Sequence, residues 1–164
     1  MTHINEQASV DYYNKQPGIR MGGGVLIFNE GGELLLVKPS YRNTWAWPGG
    51  GSDPGESPRA VALRECKEEI GLCPEPLYPA FVNYIPPQED GSLDKLQFAF
   101  RTDPVPSEFI REVRPQPNEI EAIRFVPVTA LGNYMKEYRV RAVQTYLDFY
   151  DGNDMLYMED GVLA

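Results

Sequence analysis

Histidine and cysteine are nearly absent from this chain, which has one His and two Cys in 164 residues. The cysteines, Cys66 and Cys73, form no metal-ligand spacing and are too few for a disulfide scaffold, so a reducing compartment is expected. The lone His3 sits in the polar opening stretch MTHINEQASV and is assigned no role, which argues against chemistry built on imidazole. That stretch holds no apolar run, so no secretory leader or anchor is expected. No later segment approaches the roughly 20 apolar residues of a membrane helix. A cytoplasmic protein with no membrane partner is the expectation. Positive charge is scarce too: 15 Lys and Arg stand against 24 Asp and Glu, a formal net charge of -9. Duplex nucleic acid needs a basic patch, so it is not expected as a partner. A phosphate-bearing substrate would need a divalent cation to share a site with so many carboxylates.

What is present reads as one folded unit. Hydrophobic residues make up 42%, with ten Tyr and seven Phe, and the length suffices for a core. Residues 1–20 are polar and predict a loose arm or an edge strand. Residues 21–164 predict a single domain. GGVLIFN over 23–29, the turn EGG and ELLLVK over 33–38 predict a two-stranded hairpin. Further strands are expected over 76–85, where Pro79 signals an edge or a bulge, over 95–101 and over 119–128. Residues 86–92 and 104–118 read as loops. Val140, Val143, Leu147 and Tyr150 recur at helical spacing and predict a helix over 134–150. The apolar tail DMLYMEDGVLA is expected to pack on the core or on a partner.

The segment GGGSDPGESPRAVALRECKEEIGL, residues 49–72, is the most informative. Ser57 can cap a helix whose first position is Pro58, and Gly71 can end it. At about 100° per residue, Glu65, Glu68 and Glu69 share one face, and Ala62, Leu63, Cys66 and Ile70 form another that points to a core. Like charges three and four apart cost a few tenths of a kcal/mol per pair. Arg64 can offset part of this by pairing with Glu68. A solvated surface would tolerate the arrangement. The glycine-rich WPGGGSDPGE directly before it adds open carbonyls, and carboxylate and carbonyl oxygens are the ligands of hard cations such as Mg2+.

This segment resembles the signature of the Nudix hydrolases, G-x5-E-x7-R-E-U-x-E-E-x-G-U, where U is a bulky aliphatic residue. Gly50, Glu56, Arg64, Glu65, Cys66, Glu68, Glu69, Gly71 and Leu72 stand at its positions. Cys66 departs from the aliphatic pattern, but a buried cysteine behaves as a small hydrophobe. The signature covers 23 residues, and the preceding LLLVKPSYRNTWAWPGG is similar to the family's usual approach to it. The resemblance implies an α/β Nudix fold, a mixed β-sheet sandwiched between helices. It also implies attack of water on a diphosphate bond in a nucleoside diphosphate linked to a group X, with Mg2+ or Mn2+ as cofactor.

The resemblance also implies roles. Glu65 and Glu69 match the principal metal ligands, Glu68 a third, and the Gly50 carbonyl a backbone ligand. Arg64 would orient the glutamates, and Glu56 would hold the loop to the helix. Glu119 is the candidate for an outer ligand or general base, with Glu121 and Glu108 as rivals. Lys38 and Arg42 could touch phosphate or base. Trp45, Trp47, Tyr84 and Phe98 could stack on a base or fill the core. Some relatives that cleave ADP-ribose carry a proline about 15 positions past the signature. Pro87 stands there, beside Pro86, which favours ADP-ribose or a related nucleoside diphosphate sugar. The alternative is a nucleoside triphosphate, normal or oxidised, cut to the monophosphate. A nucleotide-sensing module without activity is a further alternative, disfavoured because all three signature glutamates are present. A small-molecule partner and a possible homodimer complete the expectations.

Overall fold

The computed structural model describes residues 6–164. His3 therefore lies outside the described residues. In chain order the elements are α1 (Glu6–Asn14), β1 (Arg20–Leu26), β2 (Glu33–Pro39), β3 (Gly49–Gly51), α2 (Pro58–Ile70), β4 (Tyr78–Ile85), β5 (Lys95–Arg101), β6 (Ile120–Pro127), α3 (Glu137–Phe149), β7 (Leu156–Glu159) and β8 (Val162–Leu163). One mixed sheet runs β3-β1-β5-β4-β7-β8, and β2 pairs with β6 in a second sheet.

The expected hairpin forms only at its turn. Asn29 N–H donates to the Glu33 carbonyl and Leu35 N–H to that of Ile27, both at 2.9 Å. Beyond that point the strands part. β1 pairs with β3 and, in parallel, with β5, while β2 pairs along its length with β6. The run ELLLV explains why: it is buried on both faces. Leu34 and Leu36 pack with Ala142 and Val143 of α3. Leu35 and Val37 pack with Ala62, Cys66 and Ile70 of α2. Unbroken apolar runs are typical of strands covered on both sides. The two helices thus close opposite sides of a layered α/β/α structure, as the resemblance implies.

Three other expectations change. The arm contains a helix, α1, where a loose segment or strand is predicted. The residues 104–118 include a 3-10 turn, Ser107–Arg111, that buries Phe109. The last helix begins at Glu137, after a second 3-10 turn over Val128–Asn133. The apolar tail joins the core of this chain: β7 runs parallel to β4, and Met158 is fully buried. Pro79 stands at a register shift, as a strand proline requires, although β4 is an interior strand.

α2 forms as its ends dictate. Ser57 Oγ accepts from Ala60 N–H at 3.3 Å, and Pro58 opens the helix. Gly71 terminates it at φ 82°, a left-handed conformation that favours glycine. Cys66 fills its aliphatic position, fully buried beside Ile70 and Val25. The helix lies close on β1 because Gly23 has no side chain; a Cβ there would collide with the Pro58 carbonyl. No helix among the described residues is long and apolar enough to cross a membrane.

Candidate active site

The glycines read from sequence as a loop form the edge strand β3, with Gly50 opposite Gly23. Alternation along the strand separates its peptide groups. Gly49 N–H donates to Glu69 Oε2 at 2.8 Å, and the Gly51 carbonyl accepts from Arg64 at 3.1 Å. Both therefore face α2 along the free edge. The Gly50 carbonyl lies instead against β1, 2.8 Å from where a Cβ of Gly22 would be. The backbone groups nearest the glutamates thus come from Gly49 and Gly51 rather than from Gly50. Gly50 matters for another reason: a Cβ there would land on the Glu65 carboxylate.

Arg64 organises the helix face. Its Nε and one terminal nitrogen grip the two oxygens of Glu56, each at 2.9 Å. Its other terminal nitrogen reaches Glu65 Oε1 at 2.7 Å and Glu68 Oε2 at 3.1 Å. With the bond to Gly51, one guanidinium ties the strand, the following loop and three carboxylates together. Such bidentate, charge-assisted bonds are stronger than neutral ones.

The electrostatics reflect this placement. Glu69 is 4% exposed. Burial, opposed by the Gly49 N–H and by Arg42, pushes its carboxyl up to about 7, and Glu65 and Glu119 push it the same way. Burial also raises the Glu65 carboxyl; Arg64 opposes the shift, while Glu68 and Glu119 add to it. Glu119 is half-buried just before β6, and its carbonyl accepts from Ser40 N–H at 2.8 Å. Its charge is felt at both Glu65 and Glu69.

Glu56 behaves oppositely. The Arg64 guanidinium and then the Asp53 N–H hold its carboxyl down to about 2, from an ordinary 4.5. A lowered carboxyl stabilises the fold above its ordinary value and ceases to do so as pH falls through the lowered one. Wild-type protein should therefore lose its melting-temperature advantage over Glu56→Gln between about pH 4.5 and 2. Thermal melts across that range check this, and a constant difference would refute the pairing.

Among the described residues, no three His, Cys, Asp or Glu side chains converge as a ready metal cluster. Arg64 holds Glu65 and Glu68, and Gly49 holds Glu69. Each of Glu65 and Glu69 keeps one carboxylate oxygen outside these bonds. Buried like charges with free oxygens, beside carbonyls, suit a hard cation such as Mg2+ or Mn2+.

The cleft lies on the face of the main sheet opposite α2, and Gly49 to Gly51, against which Glu69 and Glu65 lie, line it. Its lower chamber, about 270 Å³, is lined by Gly22, Gly49 to Gly51, Gln97, Arg20, Arg42, Lys95 and Arg139, among others. An adjoining chamber of about 130 Å³ adds Trp45, Ile85, Gln88, Leu93 and Tyr138.

Of the substrate candidates, Arg42 is in both chambers and Trp45 in one. Trp47 is buried, with the Arg139 guanidinium 4.7 Å above its ring. Lys38 pairs with Glu121 at 2.8 Å on the β2-β6 ladder. Glu108 lies in the 3-10 turn over Ser107–Arg111. Tyr84 and Phe98 alternate with Ile85 and Gln97, and so face away from the cleft. Pro87 is exposed, but its loop forms a wall through Gln88, Ser92 and Leu93. Asp90 of that loop is tied to Lys136 at 2.6 Å. Sequence reading missed Arg20, Lys95 and Arg139, which are far apart in the chain and carry no shared pattern.

The NUDIX domain family profile matches residues 19–148. Among curated proteins, the chain is 40% identical over 58 residues to the RNA pyrophosphohydrolase of Acinetobacter baylyi, covering 35% of each chain. It is 43% identical over 58 residues to that of Aeromonas hydrophila, covering 35% of this chain and 33% of the other. The match thus spans about a third of these relatives. Among solved structures, a UDP-X diphosphatase superposes with a TM-score of 0.69 at 19% identity, over 94% of this chain and 75% of that one. The NUDIX domain of Shewanella oneidensis NrtR, complexed with ADP ribose, gives 0.64 at 15% identity, over 88% and 96%. At these identities the structures speak to the fold alone.

Proposed function

Because this chain belongs to the NUDIX domain family, we propose that it hydrolyses a diphosphate bond in a nucleoside diphosphate linked to a further group X. The observation that carries this reading is the placement of Glu65 and Glu69 at β3, whose glycines line a cleft walled by cations. Glu65, Glu69 and a backbone carbonyl of β3 would hold Mg2+ or Mn2+, with Glu68 in reserve on Arg64. The ion, when bound, neutralises the diphosphate and acidifies a water. Arg64 keeps Glu65 in place and Glu56 keeps Arg64 in place. Glu119, whose charge is felt at both Glu65 and Glu69, would receive the proton of the attacking water. That oxygen forms the new bond to phosphorus, and the bridging P–O bond breaks.

All three signature glutamates are retained, which favours an enzyme over a nucleotide sensor. The position of Pro87 after the signature favours a sugar-linked substrate such as ADP-ribose, and the cations of the cleft favour a nucleoside triphosphate. The 58 residues shared with RNA pyrophosphohydrolases are too small a part of either chain to carry an RNA substrate across. A panel of ADP-ribose, UDP-glucose, dinucleoside polyphosphates and nucleoside triphosphates, incubated with Mg2+ or Mn2+ and read by product mass, tests the reading. Metal-dependent cleavage of at least one into phosphorylated products is expected. Inertness toward the whole panel with both metals would overturn it.

A further inference from the structure

The cleft holds more cationic charge than a diphosphate beside a metal ion needs. Arg42, Lys95 and Arg139 line both of its chambers, and Arg20 lines the lower one. No carboxylate lines either chamber. None of Arg42, Lys95 and Arg139 takes part in an ion pair among the described residues. This is unexpected in a chain where acids outnumber bases by 24 to 15. Arg42 Nε is buried without a hydrogen-bond partner. Arg139 is held between the rings of Trp47 and Tyr138, with its guanidinium 4.7 and 5.7 Å from their centres. Burial lowers the pKa of both Lys95 and Arg139. Keeping cations desolvated and unpaired is costly, and an anionic ligand removes that cost.

We propose that Arg42, Lys95 and Arg139 form an anion subsite that holds a phosphate group of the substrate beyond the diphosphate held at the glutamates. The inference rests on the hydrolase reading above and narrows its substrate to nucleotides with three or more phosphates. A neutral terminal ribose, as in ADP-ribose, would leave these cations uncompensated. Arg42 and Arg139 join the two regions, since each interacts electrostatically with Glu69 and lines both chambers. Lys95, on β5, lines both chambers as well.

The test compares kcat/KM for ATP, GTP, CTP, UTP and ADP-ribose with Mg2+, in wild type, Arg42→Gln and Lys95→Gln. Wild type should prefer at least one triphosphate over ADP-ribose by about tenfold or more. Lys95→Gln should lower triphosphate kcat/KM about tenfold and leave ADP-ribose within about threefold. Preference for ADP-ribose, or equal losses on both substrates, would overturn the subsite. Calorimetric binding of inorganic tripolyphosphate without metal is read in parallel. It should weaken about tenfold in Arg42→Gln and in Lys95→Gln, with melting curves confirming that both variants fold. If wild type cleaves nothing, the hydrolase reading falls and this measurement alone decides the subsite. Absent or unaltered tripolyphosphate binding would then reject it.

Discussion

Glu69→Gln should fold normally and lose nearly all turnover. The substitution keeps the size of the side chain, and an amide oxygen can still accept from Gly49 N–H, now at 2.8 Å from Glu69. What disappears is the charge of a carboxylate that is 4% exposed. Removing it relieves repulsion with Glu65 and Glu119, so the melting temperature should hold or rise. Partners that merely orient a metal ligand are worth roughly 10–100-fold in activity. A direct ligand should cost more, about a thousandfold in kcat at saturating Mg2+, with a weaker apparent affinity for the metal. Glu121→Gln is the control. It loses an exposed ion pair with Lys38, which contributes little, and should turn over near the wild-type rate. Near-normal kcat in Glu69→Gln at saturating metal would remove Glu69 from the ligand set.

The second large effect is expected at Arg64, and there the conservative change should fail. One guanidinium holds both oxygens of Glu56, together with Glu65, Glu68 and the Gly51 carbonyl. A lysine has one nitrogen and no planar fork, so it cannot reproduce the pair of bonds to Glu56 while reaching Glu65. Arg64→Lys should therefore lower kcat about 10–100-fold, through loss of orientation at Glu65. It should do scarcely better than Arg64→Met. The melting temperature should fall in both: the methionine leaves Glu56, Glu65 and Glu68 close together without a cation, and the lysine keeps the charge but loses most of the bonds that hold the three carboxylates. Steady-state kinetics beside thermal melts measure the two effects. A lysine variant with full kcat would show that charge alone suffices and that the fork has no role.

Some of this protein could be read residue by residue because the physics is local. Ser57, Pro58 and Gly71 set the ends of α2 through bonds and dihedrals within one turn. Helical spacing put Glu65, Glu68 and Glu69 on one face and Cys66 and Ile70 on the other, and burial follows that division except at Glu69. That residue is drawn in by the Gly49 N–H, a partner 20 positions away that no periodicity reveals. ELLLVK predicted a strand paired in a hairpin with residues 23–29, and only the packing of both helices showed that it is covered on both sides. β6 lies more than eighty residues on, and its claim on β2 splits the apparent hairpin. The tail showed its apolar character in sequence, but only the parallel pairing with β4 decided that it completes the sheet. The sequence by itself determined the signature helix, because capping and helical period act over a few residues, and the resemblance of residues 49–72 to the Nudix signature implied the chemistry and the layered α/β class. The tertiary structure alone decided which backbone groups of β3 face the acids and that Arg42, Lys95 and Arg139 meet in one cleft. Those depend on strand pairing and on side chains brought together from distant parts of the chain, where local spacing carries no information.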